Sequence, residues 1–220
     1  MRPLPETAEL VGEGLACRRG ERLVFEGLGF RLEPGGALVL TGPNGSGKSS
    51  LLRLLAALLM PAAGRLLWGG TPVEGDPAAY RTAIHYVGHL DSVKPALSPR
   101  EMLGFWAALR GMRRPAIDTA LAAFGIENIA DWPCRWLSAG QRRRVALARL
   151  VAASAPVWLL DEPSAGLDAE GEARLAAIVA SHRAAGGRVA LATHQPIALP
   201  DATALALEQF AMRPGDPLAI

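Results

Sequence analysis

The 220-residue sequence has few cysteines and little net charge, and each shortage argues against a class of protein. Its two cysteines, Cys17 and Cys134, lie far apart, so their spacing indicates neither a disulfide framework nor a zinc site. We expect two reduced thiols that behave as small apolar side chains, as is usual in a reducing cytosol. The formal net charge of +2 gives no reason to expect a nucleic-acid-binding surface.

The sequence also lacks a run that is long and apolar enough to span a membrane. Its most apolar run, Leu51–Met60, is interrupted by Arg53 and stopped by Pro61, well short of the roughly 20 residues that a spanning helix needs. The beginning of the chain carries Glu6 and Glu9 and has no apolar stretch typical of a signal peptide. Any membrane association is therefore expected to come through a partner.

Short apolar runs alternate with helix-forming segments along the chain. The runs predict buried strands at Ala37–Thr41, Val157–Leu160 and Arg188–Thr193, and the other segments predict helices at Ser49–Leu59, Gln141–Ala153 and Glu170–Ala184. This alternation predicts an α/β fold in which helices cover a mostly parallel sheet. The stretch from about Leu10 to Phe30 is typical of short strands with glycine between them, and it predicts an antiparallel element on the same core.

Strand-like runs are missing between about Leu90 and Trp136. In this stretch Pro99–Gly111 and Pro115–Phe124 predict two helices. We interpret the region as a helical insertion, about residues 90–136, within a single domain of residues 1–220. Its position makes the insertion a candidate for docking a partner.

The most specific pattern is a glycine-rich loop between a predicted strand and a predicted helix. Gly42–Ser49 fits G-x-x-x-x-G-K-[ST], in which glycines let backbone N–H groups wrap around phosphate oxygens. The helix that follows adds unsatisfied donors and a partial positive charge. We expect Lys48 to reach the β- and γ-phosphates and the Ser49 hydroxyl to bind Mg²⁺. The residues assigned to nucleotide binding here are Gly42, Pro43, Asn44, Gly45, Ser46, Gly47, Lys48, Ser49 and Ser50.

Two carboxylates follow the predicted strand Val157–Leu160. A buried strand that ends in Asp161 and Glu162 makes sense where a cation is bound, because an unpaired buried carboxylate is costly. We predict that Asp161 holds Mg²⁺, directly or through water, and that Glu162 is the general base for the attacking water. The structural alternative is an acidic pair that begins a helix before Pro163.

A second small-residue segment begins the predicted helix Gln141–Ala153. Ser138, Gly140 and Gln141 lie there beside Arg142–Arg144, and small residues at a helix N-terminus leave donors open to an anion. Taken alone, Ser138 is also explained as a plain N-cap. Two such helix ends are too many for one nucleotide. Two copies facing head to tail resolve this, because each then supplies its second site to the ATP of the other.

These motifs, in this order, resemble the nucleotide-binding domains of ABC transporters over nearly the whole chain. The resemblance implies an ABC-type domain of the P-loop NTPase fold that binds and hydrolyses ATP with Mg²⁺. It implies that His194 contacts the γ-phosphate and holds the dimer closed. It also implies that Asp168, in Ser164–Asp168, lies at the interface between two ATPase subunits.

Three positions depart from that family pattern. His89 stands where the family usually has a glutamine that senses Mg²⁺, and an imidazole can accept from a metal-bound water only when it is neutral. Arg19, or alternatively Arg18, stands where an aromatic side chain usually stacks on adenine, and a guanidinium plane can also stack on a base. Ala139 replaces a signature glycine, which is a mild change because alanine is small.

Further stretches resemble the heme-exporter ATPases of cytochrome c maturation. They are Lys94–Glu101, Trp136–Arg149, Ala192–Pro196 and the short stretch around Cys17, together with the histidine of the family's glutamine position. This resemblance implies a peripheral subunit at the cytoplasmic face of the bacterial inner membrane, docked on an integral-membrane, CcmB-like subunit. Its cargo would be heme or a heme-loaded chaperone. Cys17, His85 and His182 lack the axial pairing of a heme site.

Three other functions stay open at this point. An ABC ATPase for another small solute is the alternative within transport, since the membrane subunits choose the cargo. A soluble ABC-type regulator acting on nucleic acid or ribosomes usually carries two cassettes and a basic surface, and this chain has one cassette and a near-neutral charge. A nucleotide-binding regulator without catalysis is favoured only by His89.

Overall fold

A computed structural model describes residues 8–112, 114–194 and 199–211. Its strands are β1 Leu10–Arg19, β2 Arg22–Leu32, β3 Ala37–Thr41, β4 Ala63–Trp68, β5 Thr71–Pro72, β6 Ile84–Val87, β7 Val157–Asp161, β8 Arg188–Ala192 and β9 Thr203–Ala206. Its α-helices are α1 Lys48–Leu55, α2 Pro77–Arg81, α3 Pro99–Leu109, α4 Arg114–Phe124, α5 Ala139–Ala152 and α6 Ala169–Ala184. Gln195, Pro196 and most of the N-terminal stretch that was tested for a signal peptide lie outside the described residues.

The strands form two sheets, as the sequence pattern predicted. One sheet has the order β6-β7-β8-β3-β9 and its strands pair in parallel. The other has the order β2-β1-β4-β5 and is antiparallel. The prediction of an α/β fold with an N-terminal antiparallel element is therefore confirmed.

Strands β1 and β2 are longer than the short strands expected there. Their glycines do not end the strands but are accommodated within them, with Gly14 at a φ of 59° and Gly27 at 71°. The pairing of β1 with β2 shifts register between Gly12 and Leu15, as a β-bulge does. The extra residues are absorbed as irregularities, so the ladder continues to Arg19.

Helix α1 ends four residues before the predicted limit of Leu59. Ala57 takes a left-handed φ of 51°, and the amides of Ala57 and Leu58 donate to the carbonyls of Leu54 and Arg53. This is the Schellman arrangement that closes a helix, here without the usual glycine. Beyond it the side chains of Leu58 and Met60 are exposed, while Leu59 still packs against the core.

The parallel sheet is covered by apolar clusters on both faces, which explains its uninterrupted apolar strands. On β7, Leu159 packs in the cluster that contains α1 and the antiparallel sheet. Trp158 and Leu160, of the same strand, pack in the cluster that contains α3, α4 and α5. The predicted helical insertion therefore packs on one face of the sheet.

Two arginines cover the free edge of β6. Arg110, at the end of α3, donates to the carbonyls of Thr82 and Ile84. Arg149, on α5, donates to the carbonyl of Tyr86, and its guanidinium lies over the Trp106 ring of α3. These hydrogen bonds occupy carbonyl groups of β6 that could otherwise pair with another strand. The bonds of Arg110 also attach the helical insertion to the sheet.

The state of the two cysteines and the character of the helices can be compared with what the sequence predicted. Cys17 and Cys134 are both buried and free, and burial raises the pKa of each thiol. Within the described ranges, no helix combines the length and the apolar character needed to cross a membrane.

His85 is buried and His182 is partly buried, near the amino ends of β6 and β7. The ring of His182 stacks on Trp158 with centroids 3.7 Å apart, and burial lowers the pKa of His182 from 6.5 to about 4. His85 shares a hydrogen bond with the carbonyl of Ala153, and burial lowers its pKa to about 3. Both rings are therefore neutral in the folded chain at neutral pH.

We predict that acid destabilises the fold through these rings. Between about pH 4 and 6.5 the unfolded chain binds more protons than the folded chain, so the free energy of unfolding falls as pH is lowered through that window. His182→Phe keeps the stacking but removes one titrating group, and its stability should fall less steeply. Urea unfolding at several pH values measures both slopes. His89→Phe, at an exposed histidine, is the control, and equal slopes for His182→Phe and wild type would contradict the prediction.

Candidate active site

A cleft of about 500 Å³ lies at the carboxyl ends of the parallel strands. Because β3, β6, β7 and β8 run in the same direction, the loops that follow them meet at one edge of the sheet. The residues that line the cleft are Arg19, Arg22, Val24, Asn44, Gly45, Gly47, Lys48, Ser49, Ser50, His89, Asp161, Glu162 and His194. The structure thus brings together residues from motifs that are more than 100 positions apart in the sequence.

The loop before α1 has a backbone that only glycine takes without strain. Gly42, Gly45 and Gly47 have φ values of 133°, 80° and 103°. A Cβ on Gly47 would lie 2.7 Å from Cγ1 of Val24, whereas a Cβ on Gly45 would meet no atom of the described residues within 4 Å. The loop is therefore confined on one side by β2 and open on the side that faces the cleft.

The polar atoms of this loop suit a polyphosphate. Lys48 is buried, and its Nζ donates to the carbonyls of Gly42 at 2.6 Å and Pro43 at 3.0 Å. Among the described residues the buried hydroxyl of Ser46 has no hydrogen-bond partner, and Gly47, the N-cap of α1, provides no side-chain cap. An ammonium group and an uncapped helix start at the wall of one cleft form an anion-binding arrangement.

Glu162 follows β7 in an unusual conformation that turns its carboxylate toward β8. Its φ is 49°, in the left-handed region, and its amide donates to the carbonyl of Ala192 at 2.9 Å. Its Oε2 accepts from the amide of His194 at 3.3 Å, and its Oε1 lies 3.5 Å from Nε2 of the same histidine. The predicted base and the predicted γ-phosphate contact therefore face each other.

The three residues assigned to the metal line the same cleft. Ser49 lies in the first turn of α1, Asp161 is buried at the end of β7, and His89 is exposed beyond β6. Among the described residues, no group of three or more His, Cys, Asp or Glu side chains could hold an ion. One hydroxyl and one carboxylate fit Mg²⁺, which is commonly bound by few protein ligands with phosphate oxygens and water.

The β1–β2 hairpin presents arginines to the same cleft. Arg19 lines the cleft and Arg18 is not among its described lining residues, while the stacking of either on adenine stays a prediction. Arg22 also lines the cleft and was missed from the sequence. The register of the hairpin could have identified it, because Arg19 pairs directly with Arg22 and paired residues have their side chains on the same face of the sheet.

Ser138, Gly140 and Gln141 (the signature residues) line a second cavity of about 450 Å³, and its described lining shares no residue with that of the first. Ser138 and Gln141 form a capping box, with Ser138 N donating to Gln141 Oε1 at 2.8 Å and Gln141 N to Ser138 Oγ at 3.2 Å. A Cβ on Gly140 would lie 2.9 Å from the carbonyl oxygen of Gly166. Ser138 is therefore an N-cap of α5, as the structural alternative proposed. The cavity beside it still has room for an anion.

Asp168 lines this second cavity too, but its carboxylate already has partners. Its Oδ1 accepts from the amide of Gly171 at 2.9 Å, which caps α6, and from Arg144 at 2.5 Å. These bonds lower the pKa of Asp168. The side chain remains two-thirds exposed, so the cap leaves most of its surface available.

The three arginines at the start of α5 do not act together, contrary to the impression that their run gives. Arg142 donates to the carbonyl of Leu137, and Arg144 donates to Asp168. Arg143 is buried and points to the cleft side, where it bonds the backbone around Glu162. Sequence reasoning missed Arg143, because charge alone does not reveal which face of the helix it occupies.

The sequence is similar to that of known proteins over most of its length. The family profile described as ABC transporter matches residues 25–165. The cytochrome c biogenesis ATP-binding export protein CcmA of Rhodospirillum rubrum is 59% identical over 207 residues, covering 94% of this chain and 89% of that protein. The protein of the same name from Paramagnetospirillum magneticum is 54% identical, covering 91% of this chain and 94% of that protein.

Solved structures are similar to the fold as a whole. An ABC transporter ATP-binding protein from Pyrococcus furiosus superposes with a TM-score of 0.82 at 22% identity, covering 93% of this chain and 100% of that one. The cbiO1 protein from Clostridium perfringens, part of the ABC transporter complex cbiONQ, gives a TM-score of 0.75 at 27% identity, covering 90% and 83%.

The two glycine positions of the loop give a steric prediction. Gly47→Ala should weaken nucleotide binding by about tenfold or more, because the new Cβ overlaps Val24, whereas Gly45→Ala meets open space. Both glycines have positive φ, so Gly45→Ala controls for backbone strain. Titration with a fluorescent ATP analogue measures the dissociation constants. Adding Val24→Ala to Gly47→Ala should restore part of the affinity, and equal losses in the two single variants would contradict the steric cause.

Proposed function

The chain belongs to the ABC transporter family and is an ABC-type ATPase, and from this premise we propose that it powers an export step of cytochrome c biogenesis. Its cargo in this proposal is heme or a heme-loaded chaperone. The ATP chemistry is supported by the single cleft that Lys48, Asp161, Glu162 and His194 share. The export step is supported by the 59% identity to the export protein of Rhodospirillum rubrum over 94% of the chain.

The cleft residues have complementary roles in the proposed hydrolysis. Lys48 and the loop amides hold the phosphates, and Glu162 accepts a proton from the attacking water. As the water oxygen bonds to the γ-phosphorus, the bond to the β–γ bridging oxygen breaks and ADP carries that oxygen away. His194, next to Glu162, would contact the γ-phosphate. Ser49 and Asp161, with His89 nearby, would hold Mg²⁺, which neutralises charge on the phosphates.

The proposed active unit is a head-to-tail pair of ATPase subunits. The phosphate-loop cleft and the cavity with Ser138 and Gly140 are separate surfaces of one chain. A second copy can bring its signature cavity to the cleft of the first, so that each ATP is enclosed by both. Ser138 is exposed, and its hydroxyl accepts one hydrogen bond in the capping box, which leaves its proton free to donate to a phosphate.

The proposed membrane partner docks on the helical insertion. Phe105, Leu109 and Met112 are exposed there at 57%, 63% and 39%, and Leu90, beside His89, is exposed at 79%. An apolar surface of this kind suits a protein partner. We place the subunit peripherally at the cytoplasmic face of the bacterial inner membrane, on an integral-membrane, CcmB-like subunit. The cargo would be bound by the membrane subunits, since His85 and Cys134 are buried in this chain.

Replacing the predicted base tests the hydrolysis. Glu162→Gln should lower the ATP turnover rate by about a hundredfold or more, since general-base catalysis typically contributes 10²–10⁴-fold. It should leave ATP binding intact and accumulate an ATP-bound dimer. Phosphate release and size-exclusion chromatography measure the two effects. Glu33→Gln, in the turn at the opposite end of β3, is the matched control. Full turnover in Glu162→Gln would show that the base is a different residue.

Deleting the gene tests the cargo. The deletion strain should lose heme-stained c-type cytochromes, the wild-type gene should restore them, and the Glu162→Gln gene should not. Normal cytochromes in the deletion strain would refute the cargo assignment and leave the ATPase assignment standing. Restoration by both genes would show that turnover is not what cytochrome c biogenesis requires.

A further inference from the structure

Arg143 has an unusual environment for a charged side chain. Its side chain is 3% exposed, although it lies near the start of α5, next to the half-buried Arg142. Its guanidinium donates to five acceptors, namely the carbonyls of Gly88 (3.0 Å), Asp161 (3.1 Å), Glu162 (2.5 Å) and Pro163 (3.2 Å) and the carboxylate of Asp91 (3.1 Å). All three guanidinium nitrogens are therefore hydrogen-bonded, and a buried charge held in this way has little freedom to move.

These acceptors belong to two different loops that wall the active cleft. The carbonyls of Asp161 and Glu162 belong to the peptide groups on the two sides of the Glu162 Cα, and the Pro163 carbonyl belongs to the next one. Glu162 itself has the left-handed φ of 49°. Gly88 and Asp91 flank His89 and Leu90 in the loop after β6. One guanidinium therefore fixes the peptide planes on both sides of the predicted base and ties them to the loop that carries His89.

The shape of the side chain matters as much as its charge. The guanidinium has five N–H groups in a rigid plane, so it can reach acceptors on two loops at once. A lysine at position 143 would keep the charge but has three donors on one atom and cannot span both loops. Asp91 supplies the counter-charge from the more exposed side, at 28% exposure.

We propose that Arg143 is a positioning residue for ATP hydrolysis, which holds the Glu162 carboxylate in place and couples it to the loop 88–91. The proposal rests on the function proposed above, in which Glu162 is the base. Arg143 is not among the described residues that line the nucleotide cleft, so it acts through the backbone of Glu162 rather than on ATP. Movement of the loop 88–91 is transmitted to the base through Gly88 and Asp91.

The primary test is Arg143→Lys in the full-length protein, with Arg53→Lys on the exposed face of α1 as the matched control. We expect the turnover rate to fall about tenfold to a hundredfold, the size of effect that a displacement of about 1 Å produces at a reacting group. The KM for ATP and the affinity for a fluorescent ATP analogue should change less than about threefold, because the phosphate loop is untouched. Thermal melting of each variant checks the fold.

A second variant decides the matter if Arg143→Lys does not fold. Asp91→Ala removes the counter-charge at a partly exposed position, and it should lower turnover about threefold to tenfold with nucleotide affinity unchanged. In the Arg143→Lys background, where that variant folds, it should add little, because the link between the loops is already broken. Wild-type turnover in Asp91→Ala, or a loss of nucleotide affinity equal to the loss of turnover in either variant, would overturn the proposal.

Measuring wild type and Glu162→Gln in the same assay separates this proposal from the one on which it rests. No turnover by wild type, or undiminished turnover by Glu162→Gln, would refute the proposed hydrolysis. Turnover that Glu162→Gln abolishes, while Arg143→Lys and Asp91→Ala leave it unchanged, would refute only the positioning role.

Discussion

Parallel pairing of β7 and β3 with β8 is the constraint on which the site depends. The pairs Asp161↔Ala192 and Leu40↔Ala192 set three strand ends at one level of the sheet. The loops that follow these strands therefore begin close to one another, and Lys48, Glu162 and His194 line the same cleft. A shift of one residue in either pairing would turn alternate side chains to the opposite face and separate the acid, the histidine and the phosphate loop.

Much of the fold and of the site was predictable because the signals were local. Val157–Leu160 is apolar throughout since both faces of the sheet are covered, and the glycine loop and acidic pair lie where the strands end. The end of α1 was not predictable in this way, because Ala57 closes it in a conformation for which glycine is the usual sign. The lengths of β1 and β2 were underestimated because glycine in a strand marks a bulge as well as a stop.

Tertiary contacts decided what the sequence pattern could not. Three adjacent arginines look alike in the sequence, yet a helix turns each by about 100° from the last. Arg142 therefore reaches its own helix start, Arg144 reaches α6, and Arg143 reaches the loops after β6 and β7. Distinguishing Arg19 from Arg18 needed the hairpin register for the same reason, since neighbouring residues in a strand face opposite sides.

The hydrogen bonds of Lys48 bear on how tightly the site holds its occupant. The ammonium is already bonded to the carbonyls of Gly42 and Pro43, so an arriving phosphate replaces existing bonds instead of pairing with a bare charge. The net gain at this residue is a difference between two bonded states and is modest. Lys48 therefore adds less to the affinity for a phosphate group than an unbonded ammonium at the same position would. An ATPase that must empty and refill its site in every cycle is served by that balance.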